Sequence, residues 1–260
     1  MKKIFLPLFD YFEVLFKFAN VIAKGDTAMQ VGVDMDSTST ADIFLMAQAA
    51  GANGRIIGIE PDPSQLEKAR SKSSTYKTEL LFIEKATFSS KGIVKMHIGK
   101  NRGNNTIDPR SLAEEESYTG EVVDVEMDTI DNIIQELGIS PKEISHVFIS
   151  NNGAEFETLK GMTSLMRSND NLSINLFAGR IGDEGLIDGR PDQEVISEYL
   201  KEYGYKSKFI RLNQFFWNGW IKMYLLRGIL RGHFKKFHRV FPGIVMARKG
   251  NKTFGFWETL

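Results

Sequence analysis

The chain has 260 residues, room for one good-sized α/β domain or two small ones. It contains no cysteine, which excludes disulfides, thiolate metal sites and cysteine nucleophiles. Its 33 basic and 33 acidic residues cancel, and its four histidines form no pair at metal-ligand spacing, so no metal site is expected.

The zero net charge hides a segregation. Ser111 to Glu157 holds twelve acids and one base, Lys142, whereas Tyr203 to Trp257 holds twelve bases and no acid. Such a split points to an anionic partner for the C-terminal region, or to two segments that neighbour each other in the fold. At the N-terminus, residues 1–27 read as an amphipathic helix with Asp10, Glu13, Lys17, Asn20 and Lys24 on one narrow stripe. Asp10 and Glu13 break the apolar run and no small-residue cleavage site follows, so a signal peptide is not expected. The apolar remainder must be covered. Docking on the chain's own domain is the expected solution, with a membrane surface or a homodimer contact as the alternatives.

From residue 28 strands and helices alternate. Ala28–Met35 reads as a buried strand, followed by a Ser/Thr-rich turn, a helix over Asp42–Ala50 and a strand over Arg55–Glu60. Asp62 is placed to cap a helix that begins with Pro63, with Gln65 closing a capping box. Strands follow at Leu80–Lys85, Ile93–Ile98 and Glu121–Met127, with the long polar loop Gly99–Gly120 at the edge where substrates would enter. A helix over Asp131–Leu137, a strand at Val147–Ser150, a helix over Phe156–Met166 and a strand at Leu172–Phe177 come next. The helix Asp192–Tyr203 and strands at Lys208–Arg211 and Gly243–Arg248 complete the series. Repeated β-α units predict one domain over residues 28–250, built on a mostly parallel sheet covered on both faces. Residues 251–260 read as a tail. No segment is long and charge-free enough to span a bilayer.

Within this frame several phrases resemble the FkbM-type family of S-adenosylmethionine-dependent methyltransferases. They are Gly51-Ala-Asn-Gly-Arg-Ile-Ile-Gly-Ile-Glu-Pro-Asp-Pro63, Ala86-Thr-Phe-Ser-Ser-Lys-Gly92, Thr129-Ile-Asp131, Gly153-Ala-Glu-Phe-Glu-Thr-Leu-Lys-Gly161 and Leu200-Lys-Glu-Tyr-Gly-Tyr205. They lie in register over roughly residues 28–212. The resemblance implies a Rossmann-like methyltransferase fold, a mostly parallel twisted sheet with an antiparallel C-terminal strand. It also implies S-adenosylmethionine as cofactor and O-methyl transfer to a small-molecule, glycan or lipid-linked acceptor.

Carried across residue by residue, the resemblance puts Glu60 on the acid that receives the cofactor's ribose and Asp34 on the acid ending the first strand. Asp36, Ser37, Thr40, Pro61, Thr87 and Asn151 complete the expected cofactor contacts. Ser150, Asn152 and Glu155 are the expected catalytic residues. The chain departs from the family pattern in two places. Asp36 and Thr40 replace the two glycines of the first turn, so a Cβ and a carboxylate at Asp36 are expected to crowd the cofactor's methionine end. Where the family has Lys-x-Asp-x-Glu-Gly, this chain has Phe148, Ser150 and Asn152. Neither Ser150 nor Asn152 is a general base near neutral pH, which leaves alignment of donor and acceptor as the main catalytic lever. A non-catalytic, binding-only descendant of the family is the alternative.

Two further readings compete. Asp34-Met-Asp-Ser-Thr38 also resembles the Asp-x-Asp-x-Thr motif of haloacid-dehalogenase phosphatases, with Asp34 as nucleophile and Asp36 as acid. That reading leaves the Gly51–Pro63 block unexplained. The basic aromatic insertion at 213–240 puts Arg227, Arg231, Lys235 and His238 on one face of a helix over 220–239. An anionic membrane surface fits that helix, implying a cytoplasmic protein peripheral to the inner face of the membrane. Nucleic acid is not expected, because no nucleic-acid-binding fold is recognised.

Overall fold

The computed structural model describes residues 10–15, 17–36, 40–108, 118–180, 185–211 and 243–255. Ser37 and the 213–240 insertion lie outside the described residues.

Seven strands form the main sheet: β1 (Thr27–Val31), β2 (Arg55–Ile59), β3 (Glu79–Ile83), β7 (Ile144–Ile149), β8 (Ser173–Ala178), β11 (Lys206–Arg211) and β12 (Gly243–Arg248). Their order across the sheet is β3-β2-β1-β7-β8-β12-β11. All pairings among the first five are parallel, while β12 runs antiparallel to both β8 and β11. The expected mostly parallel sheet with an antiparallel C-terminal strand is present. Strands β4 (Ala86–Thr87), β5 (Gly92–Gly99) and β6 (Tyr118–Asp128) build a separate three-stranded sheet. Strands β9 (Leu186–Ile187) and β10 (Arg190–Pro191) make a short hairpin.

Period-two alternation sorts the strand residues onto two faces. Met29, Val31, Ile57, Ile59, Val147 and Ile149 pack on one face, against Ile130 and Ile133 of helix α3 (Ile130–Glu136), Leu165 of α5 (Thr163–Ser168) and Ile196 of α6 (Asp192–Glu202). Ala28, Ile56 and Phe148 pack on the other, against Phe44 and Leu45 of α1 (Asp42–Ala50) and Ala69 of α2 (Pro63–Ser73). Helices therefore cover both faces, which is what strands this uniformly apolar require.

Among the described residues the N-terminal helix ends at Lys17, short of the expected residue 27, and the turn after it packs on this second face through Phe18, Val21 and Ile22. Of the expected polar stripe, Glu13 and Lys17 are buried, whereas Asn20 and Lys24 are exposed. Asp10 accepts from Thr40 Oγ1 at 2.9 Å, Lys17 donates to Asp42 at 2.8 Å, Asn20 to the Thr253 carbonyl at 3.0 Å and Lys24 to the Gln48 carbonyl at 2.7 Å. Tyr11 and Leu15 are left exposed.

Two local expectations are corrected. The predicted helix over Phe156–Met166 is broken into α4 (Glu155–Lys160) and α5, because Gly161 sits against the Phe88 carbonyl, where a Cβ would lie 2.1 Å from that oxygen. Asp131 then caps α5 by accepting from the Ser164 and Leu165 amides at 2.8 and 2.9 Å. The predicted capping box at Asp62 is only half made. Asp62 accepts from the Ser64 amide at 2.9 Å, but Gln65 reaches away from it, and Glu60 takes the Asp62 amide instead.

Candidate active site

Strand order reverses between β1 and β7, and in open α/β sheets the crevice beyond the strand ends at such a point is where ligands bind. The turn leaving β1 begins with Gly32, at φ +83°, so close to β7 that a Cβ would lie 1.9 Å from the Ser150 carbonyl oxygen. A glycine inside a strand pattern is the sequence signal for such a backbone approach. Asp34 follows and accepts from the Asp36 amide at 2.9 Å.

The Asp36 side chain leaves the crevice for α2. It accepts from Lys68 at 2.6 Å and from Gln65 Nε2 at 2.8 Å, while Gln65 Oε1 accepts from the Met35 amide at 2.8 Å. Burial raises the Asp36 carboxyl, but the bonds from Lys68 and Gln65 outweigh it and hold the group below its usual range. Its charge is thus neutralised outside the crevice. Thr40 is likewise engaged, with Asp10. Asp36→Gly is expected to cost no more than about 1 kcal/mol, as for an exposed ion pair, and to leave ligand affinity in the crevice unchanged. Chemical denaturation and calorimetry check both halves, and a large gain in affinity would restore the crowding expected from the sequence.

Glu60 ends β2 on the floor of the crevice. Its Oε2 accepts from the Val33 amide at 3.1 Å and its Oε1 from the Asp62 amide at 2.9 Å. Burial pushes its pKa up to about 8; the two amides oppose that rise, and the nearby charges of Asp62 and Asp34 add to it. Pro61, between the two acids, is partly buried.

At the end of β7, Phe148 stands where the family pattern has a lysine, and it is a core residue between Phe18 and Phe177, with ring centroids 6.1 and 5.7 Å away. Asn151 donates to Thr158 Oγ1 at 2.8 Å and to Thr87 Oγ1 at 3.3 Å, and Thr87 and Thr158 bond each other at 2.7 Å. The Asn151 Oδ1 is buried without a partner among the described residues. Glu155 accepts from the Gly153 amide at 2.8 Å and lies 3.9 Å from Arg180, whose guanidinium is also 3.8 Å from Asp108. Burial raises the Glu155 carboxyl despite the opposing charge of Arg180.

Asn152 adopts the left-handed conformation, φ 54°, and turns to the loop between β5 and β6. Its Nδ2 donates to the carbonyls of Gly103 and Asn105 at 2.9 and 2.8 Å, and its own carbonyl accepts from Thr106 Oγ1 at 2.8 Å. The other side of the same loop is held by Asp62, which accepts from Arg102 at 3.1 Å and from Asn105 at 3.0 Å. Between these anchors Gly103 lies on the Asp34 carboxylate, so that a Cβ would come within 2.5 Å of it. The structure thus joins Asp34, Glu60 and Asn152 around one crevice, with Asn151 and Glu155 on its β7 side and Asp36 and Thr40 bonded away from it.

A family model for the methyltransferase FkbM domain matches residues 26–207. The chain belongs to that family. Among solved structures, this FkbM chain is similar to a putative rRNA methylase from Clostridium thermocellum (12% identity, 94% of both chains covered, TM-score 0.43). It is also similar to cofactor-bound Rv0187 from MTB (13% identity, 92% and 78% covered, TM-score 0.47). A third is the O-methyltransferase TomG from Streptomyces achromogenes, bound to SAM (12% identity, 94% and 79% covered, TM-score 0.41). These likenesses are too loose to carry an argument about this chain. No curated protein matches it.

The residues of this FkbM domain fit the family's cofactor in kind. An acid follows each of the first two strands, Asn151 offers a buried acceptor with no partner among the described residues, and the substituent at Asp36 is folded away from the crevice. The space they enclose is taken up by residues 102–105.

Proposed function

We propose that this chain is an S-adenosylmethionine-dependent methyltransferase acting on a hydroxyl of a small-molecule, glycan or lipid-linked acceptor. The observation that carries the reading is Glu60, a buried acid just after β2 that feels the charge of Asp34 beside the switch point of an FkbM domain. Bound there, the cofactor would supply an activated methyl group. Glu60 would hold its ribose hydroxyls and Asp34 the polar end of its methionine part. Asn151 Oδ1 remains free to accept a further hydrogen bond. Ser150 and Asn152 remove no proton, since neither ionises near neutrality. Glu155 is the carboxylate on the β7 side, held by the Gly153 amide. The rate then rests on alignment.

The phosphatase alternative loses its acid, because Asp36 is committed to Lys68 and Gln65. The binding-only reading is favoured by one observation, the covering of the crevice by residues 102–105.

S-adenosylhomocysteine is expected to raise the melting temperature by several degrees. A ligand at a hundred times its Kd adds about 2.7 kcal/mol to stability. Glu60→Ala should abolish the rise. No rise at millimolar ligand, in the parent chain or in Asn152→Asp, sinks the methyl-transfer reading and leaves the binding-only one.

A further inference from the structure

We infer that residues 102–105 form a strap closing the switch-point crevice, that Asn152 is its latch, and that a crevice ligand enters only when the strap lifts. The cofactor reading supplies the identity of that ligand and nothing else in the inference.

The strap is anchored at the end of each strand that borders the crevice. Asn152 holds it beyond β7, Asp62 holds it beyond β2, and Gly103 rests on Asp34 beyond β1. Its stem is closed by the His97–Thr106 bridge, and Asn105 Oδ1 accepts from the Gly99 amide at 2.9 Å, which ties the loop to itself. The strap is therefore a preformed unit that can move about its stem without unravelling.

The latch depends on donors. Asn152 spends both Nδ2 hydrogens on strap carbonyls, and its left-handed backbone is kept by those bonds together with the one from Thr106. An aspartate of the same shape has no hydrogen to give and would face the two carbonyls with negative charge. It tolerates the same backbone conformation, so the change falls on the latch. Arg102 acts at the opposite anchor. Its side chain is partly exposed, while the Asp62 carboxylate it bonds is buried. Burial raises the Asp62 carboxyl, and the bonds from Ser64 and Arg102 outweigh that and keep it ionised as an acceptor.

The test is hydrogen exchange at the Gly99 and Gly103–Thr106 amides in the parent chain, in Asn152→Asp and in Arg102→Ala, paired with titration by S-adenosylhomocysteine. Loss of two latch bonds should speed exchange of these amides roughly ten- to a hundredfold, with β1 and β7 unchanged. The same variants should bind the ligand more tightly. Unchanged exchange in both variants overturns the strap. So does binding to the parent chain without any change in the segment's exchange, or faster exchange with weaker binding, which would make Asn152 a ligand contact. Faster exchange with no binding by any of the three chains supports the strap and removes the cofactor reading.

Discussion

Gly32→Ala is expected to destabilise the fold by about 4 kcal/mol or more, in the range reserved for a few named mechanisms. The residue sits at φ +83°, where an L side chain costs roughly 1–2 kcal/mol before it touches anything. The added Cβ would then lie 1.9 Å from the Ser150 carbonyl oxygen and 2.7 Å from its carbon. Backbone cannot turn aside as a side-chain tip does. Relief requires moving the end of β7, where the Ser150 amide donates to Val31, or the end of β1, where the Gly32 amide donates to Ile59. Gly138→Ala is the control, since Gly138 has φ +65° with open space around its Cβ position. Chemical denaturation should show about 1 kcal/mol there, the conformational part alone. Equal losses at the two positions would mean that β1 and β7 are less tightly joined than the geometry indicates.

Glu60 should lower stability as pH rises between about 4.5 and 8. Its folded pKa lies above its unfolded value, so across that window the folded chain binds a proton that the unfolded chain has released. The stabilisation is fully present below the unfolded pKa and is lost as pH climbs through the folded one. Burial drives the shift, and the Val33 and Asp62 amides limit it, so the amplitude is up to about 5 kcal/mol. Glu60→Gln should remove this contribution to the profile. The glutamine also turns an amide hydrogen toward one of two backbone donors, so its absolute stability is lower. The discriminating readout is the slope of unfolding free energy against pH. The same slope in the parent chain and in Glu60→Gln would show that the two amides outweigh burial and hold Glu60 ionised.

Much of the frame was legible because its causes are local. The helix Asp42–Ala50 and the strand Gly243–Arg248 run to the residues expected, and Asp62 and Pro63 mark the start of α2. Apolar periodicity and caps act among residues a few positions apart. The phrases that carry the family resemblance were also legible, although their structural work was not. Thr129 caps α3, Asp131 caps α5 and Gly161 packs on Phe88, so these phrases mark one packed junction beneath the crevice rather than reacting groups.

The candidate site divides in the same way. Glu60 directly follows β2, as counting along the chain puts it, whereas the strand expected over Ala28–Met35 ends at Val31 and leaves Asp34 three residues beyond it. Gly32, Asp62, Arg102 and Asn105 were missed as site residues; Gly32 carried its own signal, a glycine in a strand. The strap had none. Its bonds join Asn152 to Gly103 and Asn105 to Asp62, across 49 and 43 residues.

What the sequence alone determined was the order and type of the elements, and from these the doubly covered sheet and its switch point. These follow from side-chain period, capping chemistry and the apolar content of the strands, all of which act before the chain closes on itself. Only the tertiary structure decided which way the polar side chains face. Asp36 turns to Lys68 because α2 packs beside the first turn, Phe148 is buried because the turn after the N-terminal helix brings Phe18 over it, and Asn152 becomes a latch because the β5–β6 loop falls within its reach. A side chain's hydrogen-bonding capacity is written in its residue type, but its partner is chosen by whichever donor or acceptor the fold brings within about 3 Å.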